Sequence, residues 1–317
     1  HHTLASISAV VSAGGRVFTI VDEGTAASMA VPGKWFLVAR DAFNGTLLWK
    51  RPLASWAWHR RGFRSGPVQL PRTLVAVGQR VYAPLEIGAP VAALDAATGR
   101  VLRTFEGTGG SEEIILSDGV LMVVTGSPLA EQAAIDPARR GEAPSPNDKS
   151  IVAVEAETGK PLWRWSDTAA GKLVPLTLAA QGPRVFFEAG GAMLCLDRVT
   201  GKEIWRWPAA GDTGAAEGTG DRADAKPAGK GKKKPAGKGK KRPAKPRKGL
   251  GQRSVGWSLA TLVVHDGVVL RAHGGRLEAL SARDGKALWS CPCQAGFRSP
   301  ADVFVIGGLV WLGPDFS

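Results

Sequence analysis

The stretch Leu280-Ser-Ala-Arg-Asp284-Gly285-Lys-Ala-Leu-Trp289 predicts the end of one β-strand, a tight turn and a second strand. An Asp-Gly pair between two apolar runs is a strong local signal for a β-hairpin. The same phrase occurs five times, with its glycine at Gly45, Gly99, Gly159, Gly201 and Gly285. The repeated hairpin is therefore the unit from which the fold is built.

The conserved spacing within this phrase assigns a physical role to each position. The glycine allows a positive φ at the turn. Four residues before it stand Asp41, Asp95, Glu155, Asp197 and Ser281. Four residues after it stand Trp49, Arg103, Trp163, Trp205 and Trp289. We interpret the acidic residues as acceptors that brace the turn N–H groups, rather than as calcium ligands or catalytic bases. The tryptophans predict a large apolar surface that a neighbouring layer must cover.

A second hairpin precedes each copy, as in Leu74-Val-Ala-Val-Gly78-Gln-Arg-Val-Tyr82. Each unit therefore has four short antiparallel strands. Units of this kind at a spacing of roughly 40–45 residues indicate an all-β fold, the β-propeller. The run Val303 to Trp311 matches the first half of a sixth unit. The sequence thus predicts about five and a half blades.

The charge distribution divides the chain into three predicted parts. Blades 1–4 occupy residues 1–208, an insertion occupies 209–253, and blade 5 with half of blade 6 occupies 254–317. Residues 209–250 hold 13 Lys/Arg and 4 Asp/Glu, a net charge of +9 out of +13 for the whole chain. The Lys/Pro/Ala/Gly-rich run 226–248 has no apolar residue beyond alanine, which predicts a disordered, self-repelling loop.

Several classes of site find little support in the sequence. Cys195 alternates with leucines and is expected to be buried, whereas Cys291 and Cys293 flank a proline, which is neither a C-x-x-C spacing nor a vicinal pair. A disulfide, a metal site and a purely structural role all remain open for this pair. There is no run of ~18 apolar residues that would span a membrane. No Ser-His-Asp order, nucleotide-binding glycine loop or zinc spacing is present.

The phrase Ala-Leu-Asp-Ala-x-Thr-Gly-Lys-x-x-Trp, seen in variants at Ala93–Arg103 and Leu194–Trp205, resembles the repeat of PQQ-like β-propellers, named after pyrroloquinoline quinone. Leu37 to Arg51 also resembles bacterial multi-domain proteins that carry such a propeller. The resemblance implies an eight-bladed ring, a chain that is a fragment of a larger bacterial protein, and a periplasmic or extracytoplasmic location. It implies that the motif tryptophans dock one blade onto the next, and that Arg103 makes a weaker or different contact. The docking residues would be Trp49, Trp163, Trp205 and Trp289.

The residues that precede the first strand of each blade are expected to form the functional face of the channel. Candidates on that face are Arg64, Glu113, Trp257 and Arg298. Their convergence would form a polar pocket with one aromatic wall, and the alternative is a solvated, salt-bridged rim. His265 and His273 flank a strand and are expected at a turn and on the surface.

Three functional hypotheses follow. The leading one is a non-catalytic binding or scaffold segment, whose partners are the remaining blades and domains of the same protein and a protein on the propeller face. The second is part of a quinoprotein dehydrogenase, because the resemblance implies PQQ and calcium in some members. The residues alone indicate no catalytic group, metal ligand or cofactor. The third is a tether for polyanions through the run 226–248, driven by counterion release.

Overall fold

The computed structural model describes residues 6–24, 33–54, 56, 72–127, 148–166, 172–174, 176–208, 260–273, 275–293 and 302–312. These residues form five four-stranded antiparallel sheets and one two-stranded sheet. The all-β architecture of propeller blades is therefore confirmed, with five complete blades and one half blade. The total of eight blades and the division into three parts stay predictions, and the run 226–248 lies outside the described residues.

The strands follow chain order within every blade. Blade 1 consists of β1 (Ser6–Ala13), β2 (Arg16–Asp22), β3 (Trp35–Asp41) and β4 (Leu47–Pro52). Blade 2 consists of β5 (Val75–Val77), β6 (Arg80–Pro84), β7 (Val91–Asp95) and β8 (Val101–Thr104). Blade 3 consists of β9 (Ser111–Ser117), β10 (Val120–Thr125), β11 (Ser150–Glu155) and β12 (Pro161–Ser166). Blade 4 consists of β13 (Ala179–Gln181), β14 (Arg184–Ala189), β15 (Ala192–Asp197) and β16 (Glu203–Trp207). Blade 5 consists of β17 (Thr261–His265), β18 (Val268–His273), β19 (Arg276–Ser281) and β20 (Ala287–Pro292), and the half blade consists of β21 (Val303–Ile306) and β22 (Leu309–Leu312).

The blades are arranged around an axis lined by their first strands. The first strands of successive blades contact one another, from β1 with β5 through β9, β13 and β17 to β21. The fourth strands are consequently the outer edges. Apolar cores fill the seams between blades, as where Met122 and Ile151 of blade 3 meet Phe187 and Leu194 of blade 4. Because a blade is covered on both faces, its middle strands are almost continuously buried, and all six residues of β10 are buried.

The two ends of the blades differ in construction. One end, which we name the turn end, carries the first and last hairpin turns of each blade, tied together by bonds such as Ala96 N–H to Gln79 O at 2.9 Å. The opposite end, which we name the crossover end, carries the connections between the second and third strands and between blades. Every internal gap between the described ranges is flanked by residues at the crossover end. Insertions into this chain are thus attached at one end only.

Candidate functional site

Three motif tryptophans contact the turn of the following blade. The indole Nε1 of Trp49 donates a hydrogen bond to Ala96 O at 3.0 Å, and Trp205 Nε1 donates to Ala282 O at 3.1 Å. Trp163 Nε1 donates to the carbonyl oxygen of Arg198 at 2.7 Å. Each acceptor stands three residues before the turn glycine of its blade. The same polar contact is therefore repeated at three seams.

The turn glycines fit closely beneath these indole rings. Gly201 has a φ of +69°, and a Cβ placed on it would lie 2.6 Å from Trp163. The corresponding distances are 2.8 Å from Gly99 to Trp49 and 2.7 Å from Gly285 to Trp205. The glycine is thus required twice, for its backbone conformation and for the approach of the ring.

The seam between blades 2 and 3 uses a different contact. A Cβ on Gly159 would lie 3.2 Å from Cδ of Arg103 and 3.8 Å from Phe105. Phe105 is 1% exposed and belongs to the apolar core of this seam. The aliphatic stem of the arginine therefore lies where the other blades place an indole, and the phenyl ring adds apolar contact.

A second contact position, which was not predicted from the sequence, lies two residues beyond the motif tryptophan. Phe105 occupies it in blade 2, and Trp165 packs edge-on against Phe187 with ring centroids 4.8 Å apart in blade 3. In blade 4, Trp207 packs in the core of the next seam. The two-residue alternation of a strand places this side chain on the same face as the motif tryptophan, and that alternation was the signal available in the sequence.

Trp289 is placed differently from the other motif tryptophans. It lies on β20, and its side chain is 45% exposed beside the two-stranded half blade. Gly45 is the turn glycine of blade 1. A Cβ placed on it would meet no atom within 4 Å, in contrast to the turn glycines that lie beneath an indole ring.

The motif acids hold the turns. Oδ1 of Asp95 accepts hydrogen bonds from Thr98 Oγ1 at 2.7 Å, Thr98 N at 2.8 Å and Ala97 N at 3.1 Å. The side-chain and backbone bonds from Thr98 keep the pKa of Asp95 below its usual value. The backbone and hydroxyl bonds from Thr200 lower the pKa of Asp197 in the same way. These carboxylates are engaged by their own turns.

A buried ionic cluster joins blades 4 and 5 at the crossover end. Arg271 binds Glu188 through two parallel bonds, Nε to Oε2 at 2.9 Å and Nη2 to Oε1 at 2.8 Å, and donates to Glu278 at 2.8 Å. The side chain of Glu188 is 1% exposed, and Nδ1 of His273 lies 2.9 Å from its Oε1. Burial alone would raise the pKa of Glu188, but the bonds from His273 and Arg271 and the arginine charge lower it to about 2. His273, expected to be a surface residue, is thus half-buried in this cluster.

Blade 3 carries two adjacent buried carboxyl groups at the same end. Glu112 forms a buried ion pair with Lys149. Glu113 accepts a hydrogen bond from Leu178 N of blade 4 at 3.3 Å, and its Oε1 lies 4.0 Å from Arg72 Nη1 of blade 2. Burial raises the pKa of Glu113 to about 7, and the neighbouring Glu112 adds to that shift.

The predicted channel-face residues can be placed only in part. Arg64, Trp257 and Arg298 lie outside the described residues. Glu113 lies in β9, and it is 2% exposed in the seam between blades. His265 is exposed at the end of β17, with Nε2 3.2 Å from Asp266. The polar pocket predicted from Arg64, Glu113, Trp257 and Arg298 stays a hypothesis.

The described side chains do not fit a calcium site. In the ranges that the structure covers, no three His, Cys, Asp or Glu side chains are grouped so that they could hold a metal ion. The buried carboxylates Glu112 and Glu188 already bind basic partners. Cys195, Cys291 and Cys293 are all free thiols.

Comparison with known proteins identifies the family. A PQQ-like family profile, described as outer membrane protein assembly factor BamB, matches residues 33–233, which is more than half of the chain. The chain belongs to this PQQ-like family. The resemblance found in the five repeated phrases is thereby confirmed. No curated protein sequence matches the chain.

Two solved structures match this PQQ-like propeller over most of its length. BamB from Moraxella catarrhalis is 13% identical with a TM-score of 0.48, and the match covers 96% of this chain and 68% of that one. A quinohemoprotein alcohol dehydrogenase from Comamonas testosteroni is 16% identical with a TM-score of 0.47, over 92% of this chain and 45% of that one. The chain therefore spans less than half the length of that dehydrogenase. Among the described residues of the propeller, no helix is long and apolar enough to cross a membrane.

Proposed function

We propose that this PQQ-like propeller segment is a non-catalytic binding or scaffold domain of a larger extracytoplasmic protein. The observation that carries the proposal is the pairing of two buried carboxylates at the crossover end with basic side chains. Glu188 is held by Arg271 across the seam of blades 4 and 5, and Glu112 is held by Lys149 within blade 3. Charges neutralised in this way rigidify a framework and are poorly suited to act as acids, bases or ligands.

The description of the matching family supports the same function, since it names an assembly factor. We place the partner surface at the crossover end, which carries the connections between the second and third strands and between blades. Loops carried by a rigid scaffold are the usual site of recognition. The partner in this proposal is another protein, together with the remaining blades and domains of the same chain.

Site-specific photo-crosslinking tests where a protein partner binds. A photoreactive residue is placed at Arg72 or Arg276 at the crossover end, and at Phe43 or Lys286 at the turn end as matched controls. We expect discrete protein adducts, identified by mass spectrometry, from the crossover positions only. Adducts from the turn end alone, or from neither end, would contradict the proposal.

A second measurement separates this proposal from a quinoprotein dehydrogenase. The purified chain is titrated with PQQ and Ca²⁺ while quinone absorbance and dye reduction by an alcohol are followed. We expect neither stoichiometric quinone binding nor turnover. Stoichiometric binding with turnover would overturn the scaffold proposal and favour the dehydrogenase.

The charge distribution favours a second candidate function, a tether for polyanions. A net charge of +9 lies within residues 209–250, and the rest of the chain carries only +4. A basic segment of this composition would bind nucleic acid, acidic polymers or anionic membrane with strong salt dependence and no sequence preference. The absence of aromatic residues from 226–248 means that base stacking would contribute nothing.

Deletion of residues 209–253 tests the tether. We expect heparin affinity to fall at least tenfold at low salt, while the circular dichroism spectrum and the unfolding midpoint stay unchanged. A matched control replaces the lysines of 226–248 by glutamine and keeps the length of the segment. Retention of heparin binding by both variants would rule the tether out.

A further inference from the structure

Glu113 lies where blades 2, 3 and 4 meet beside the axis. Its side chain is on β9, the first strand of blade 3. Arg72, from the residues that precede blade 2, pairs in parallel with β9 through Arg72 N–H to Glu112 O and Ile114 N–H to Arg72 O, both at 2.9 Å. Leu178, from the residues that precede blade 4, donates its N–H to the Glu113 carboxylate at 3.3 Å. We name Arg72, Glu113, Ile114 and Leu178 the three-blade junction.

The Glu113 carboxylate at this junction has weak hydrogen-bond and ionic partners for a buried group. A carboxylate has about four acceptor sites, and burial without compensation is costly. The Leu178 bond is long, and the Arg72 guanidinium at 4.0 Å is beyond hydrogen-bond distance. Glu188 of the next seam shows the contrast, because Arg271 binds it through two bonds under 3 Å. Glu113 is therefore a buried acid without a strong counterion.

The backbone on the blade 4 side of the junction is strained. Leu176 has a φ of +59°, a left-handed conformation that is unfavourable for a residue with a Cβ. Its position is fixed by neighbouring bonds, since Thr177 Oγ1 donates to Val174 O at 2.7 Å and accepts from Glu188 N at 3.1 Å. Strain of this kind concentrates where a structure must change conformation. Leu178 follows two residues later and supplies the hydrogen bond to Glu113.

We propose that the three-blade junction is a proton-controlled conformational switch, closed when Glu113 is neutral and opening locally when Glu113 is ionised. In the closed form the carboxyl group is neutral, so its burial does not require desolvation of a charge. Ionisation places a weakly compensated charge in the seam. Opening of the Arg72 pairing relieves the cost of burying that charge, because the 59% exposed side chain of Arg72 and solvent can then reach the carboxylate.

The charged groups around Glu113 set the pH range in which the switch operates. Arg72 faces Glu113 from blade 2, and Glu112 is its neighbour on β9, paired with Lys149. Blade 4 presents the Leu178 N–H, while the carboxylate of Glu188 is turned away toward Arg271. Burial and Glu112 raise the pKa of Glu113 from 4.5 to about 7, against the lowering effect of Arg72 and the Leu178 N–H.

The direction of the pH effect follows from this shift. The closed junction holds its proton up to about pH 7, whereas the opened junction releases it near the ordinary glutamate value. Protons are therefore lost on opening between those values, and a rise in pH through this window favours opening. Above about pH 7 both forms are ionised and the effect levels off. The switch acts between weakly acidic and neutral conditions.

Native-state hydrogen exchange of the intact chain tests the switch. The amides of Arg72, Ile114 and Leu178 report the junction, and Ala156 and Ala282, whose N–H groups bond to carbonyls at the turn end, serve as internal controls. After correction for intrinsic exchange, we expect the opening equilibrium constant of the junction amides to rise on the order of fiftyfold from pH 5 to pH 8. The control amides should show no comparable rise.

Two variants and one matched control make the assignment specific. Glu113→Gln keeps the shape and the acceptor for Leu178 and should abolish the rise between pH 5 and pH 8. Arg72→Gln removes the exposed cation and should move the midpoint of the rise to higher pH. Glu106→Gln, which removes an exposed carboxyl group elsewhere, should leave the profile unchanged. A wild-type profile that is flat, or a rise that persists in Glu113→Gln, would overturn the proposal.

Discussion

Replacement of Trp163 by alanine is expected to lower the free energy of unfolding by about 3 kcal/mol. The loss combines the apolar contact of the indole with the turn of blade 4 and the hydrogen bond from Nε1 to Arg198 O at 2.7 Å. Trp163→Phe retains most of the ring contact and should cost less, because it loses the polar bond and part of the ring area. Urea unfolding followed by circular dichroism measures both variants.

The glycine beneath the indole offers a sharper form of the same test. Gly201→Ala adds a Cβ 2.6 Å from the Trp163 ring at a φ of +69°, so backbone strain and steric overlap both contribute. Gly45→Ala has a nearly identical φ of +75° but meets no atom within 4 Å. We expect a loss of about 1 kcal/mol for Gly45→Ala and about 3 kcal/mol for Gly201→Ala. The difference isolates the tryptophan contact from the turn conformation.

Equal losses for the two glycine variants would contradict the docking role that we assign to the motif tryptophans. The double variant Trp163→Ala/Gly201→Ala gives a further check. In the absence of the indole, Gly201→Ala should lower the free energy of unfolding only as much as Gly45→Ala does. The coupling energy from this cycle measures the contact directly.

Glu188→Gln is expected to cost about 3 kcal/mol at neutral pH. The substitution removes the carboxylate that binds Arg271 through two bonds in the seam of blades 4 and 5, and it leaves Glu278 to neutralise a guanidinium whose side chain is 11% exposed. The matched control is Glu203→Gln, which breaks the surface pair with Arg206, where both side chains are about 40% exposed. A surface pair of this kind contributes under about 1 kcal/mol.

The pH dependence of the Glu188 effect has a defined sign. Because the pKa of Glu188 is lowered from 4.5 to about 2 in the folded chain, its contribution is present above about pH 4.5 and is lost as the pH falls toward 2. Wild type and Glu188→Gln should therefore approach each other in unfolding midpoint as the pH falls below about 4.5, and should converge only near pH 2. Parallel curves across that range, or a loss no larger than that of Glu203→Gln, would refute the structural importance of this ion pair.

The repeated features at the turn end were predictable because they are local. The acceptor at Asp95 and the positive φ at Gly99 depend on residues within one hairpin, and their spacing recurs in every blade. The count of five and a half blades follows from that recurrence. The family could be recognised from the same phrases, since each copy carries the turn, the strand and the contact residue together.

The buried charges at the crossover end could not be predicted in the same way. Glu188 and Arg271 are 83 residues apart, and their pairing depends on how adjacent blades are rotated about the axis. Glu113 was expected on the channel face, but the position of β9 between two neighbouring blades buries it. A hydrophobic pattern shows that a strand is covered, but it does not show which polar residues are covered with it.

The separation of the turn end from the crossover end has a consequence for how such a chain can change. The tryptophan–glycine contacts lie at the end opposite the crossover loops, so we expect that a loop outside the contacts between blades can be lengthened, shortened or exchanged with little effect on them. Grafting of recognition loops onto this chain should accordingly be tolerated at the crossover end and harmful at the turn end. A framework built in this way could carry loops of unrelated binding specificity, because a fold by itself does not determine which molecule is bound.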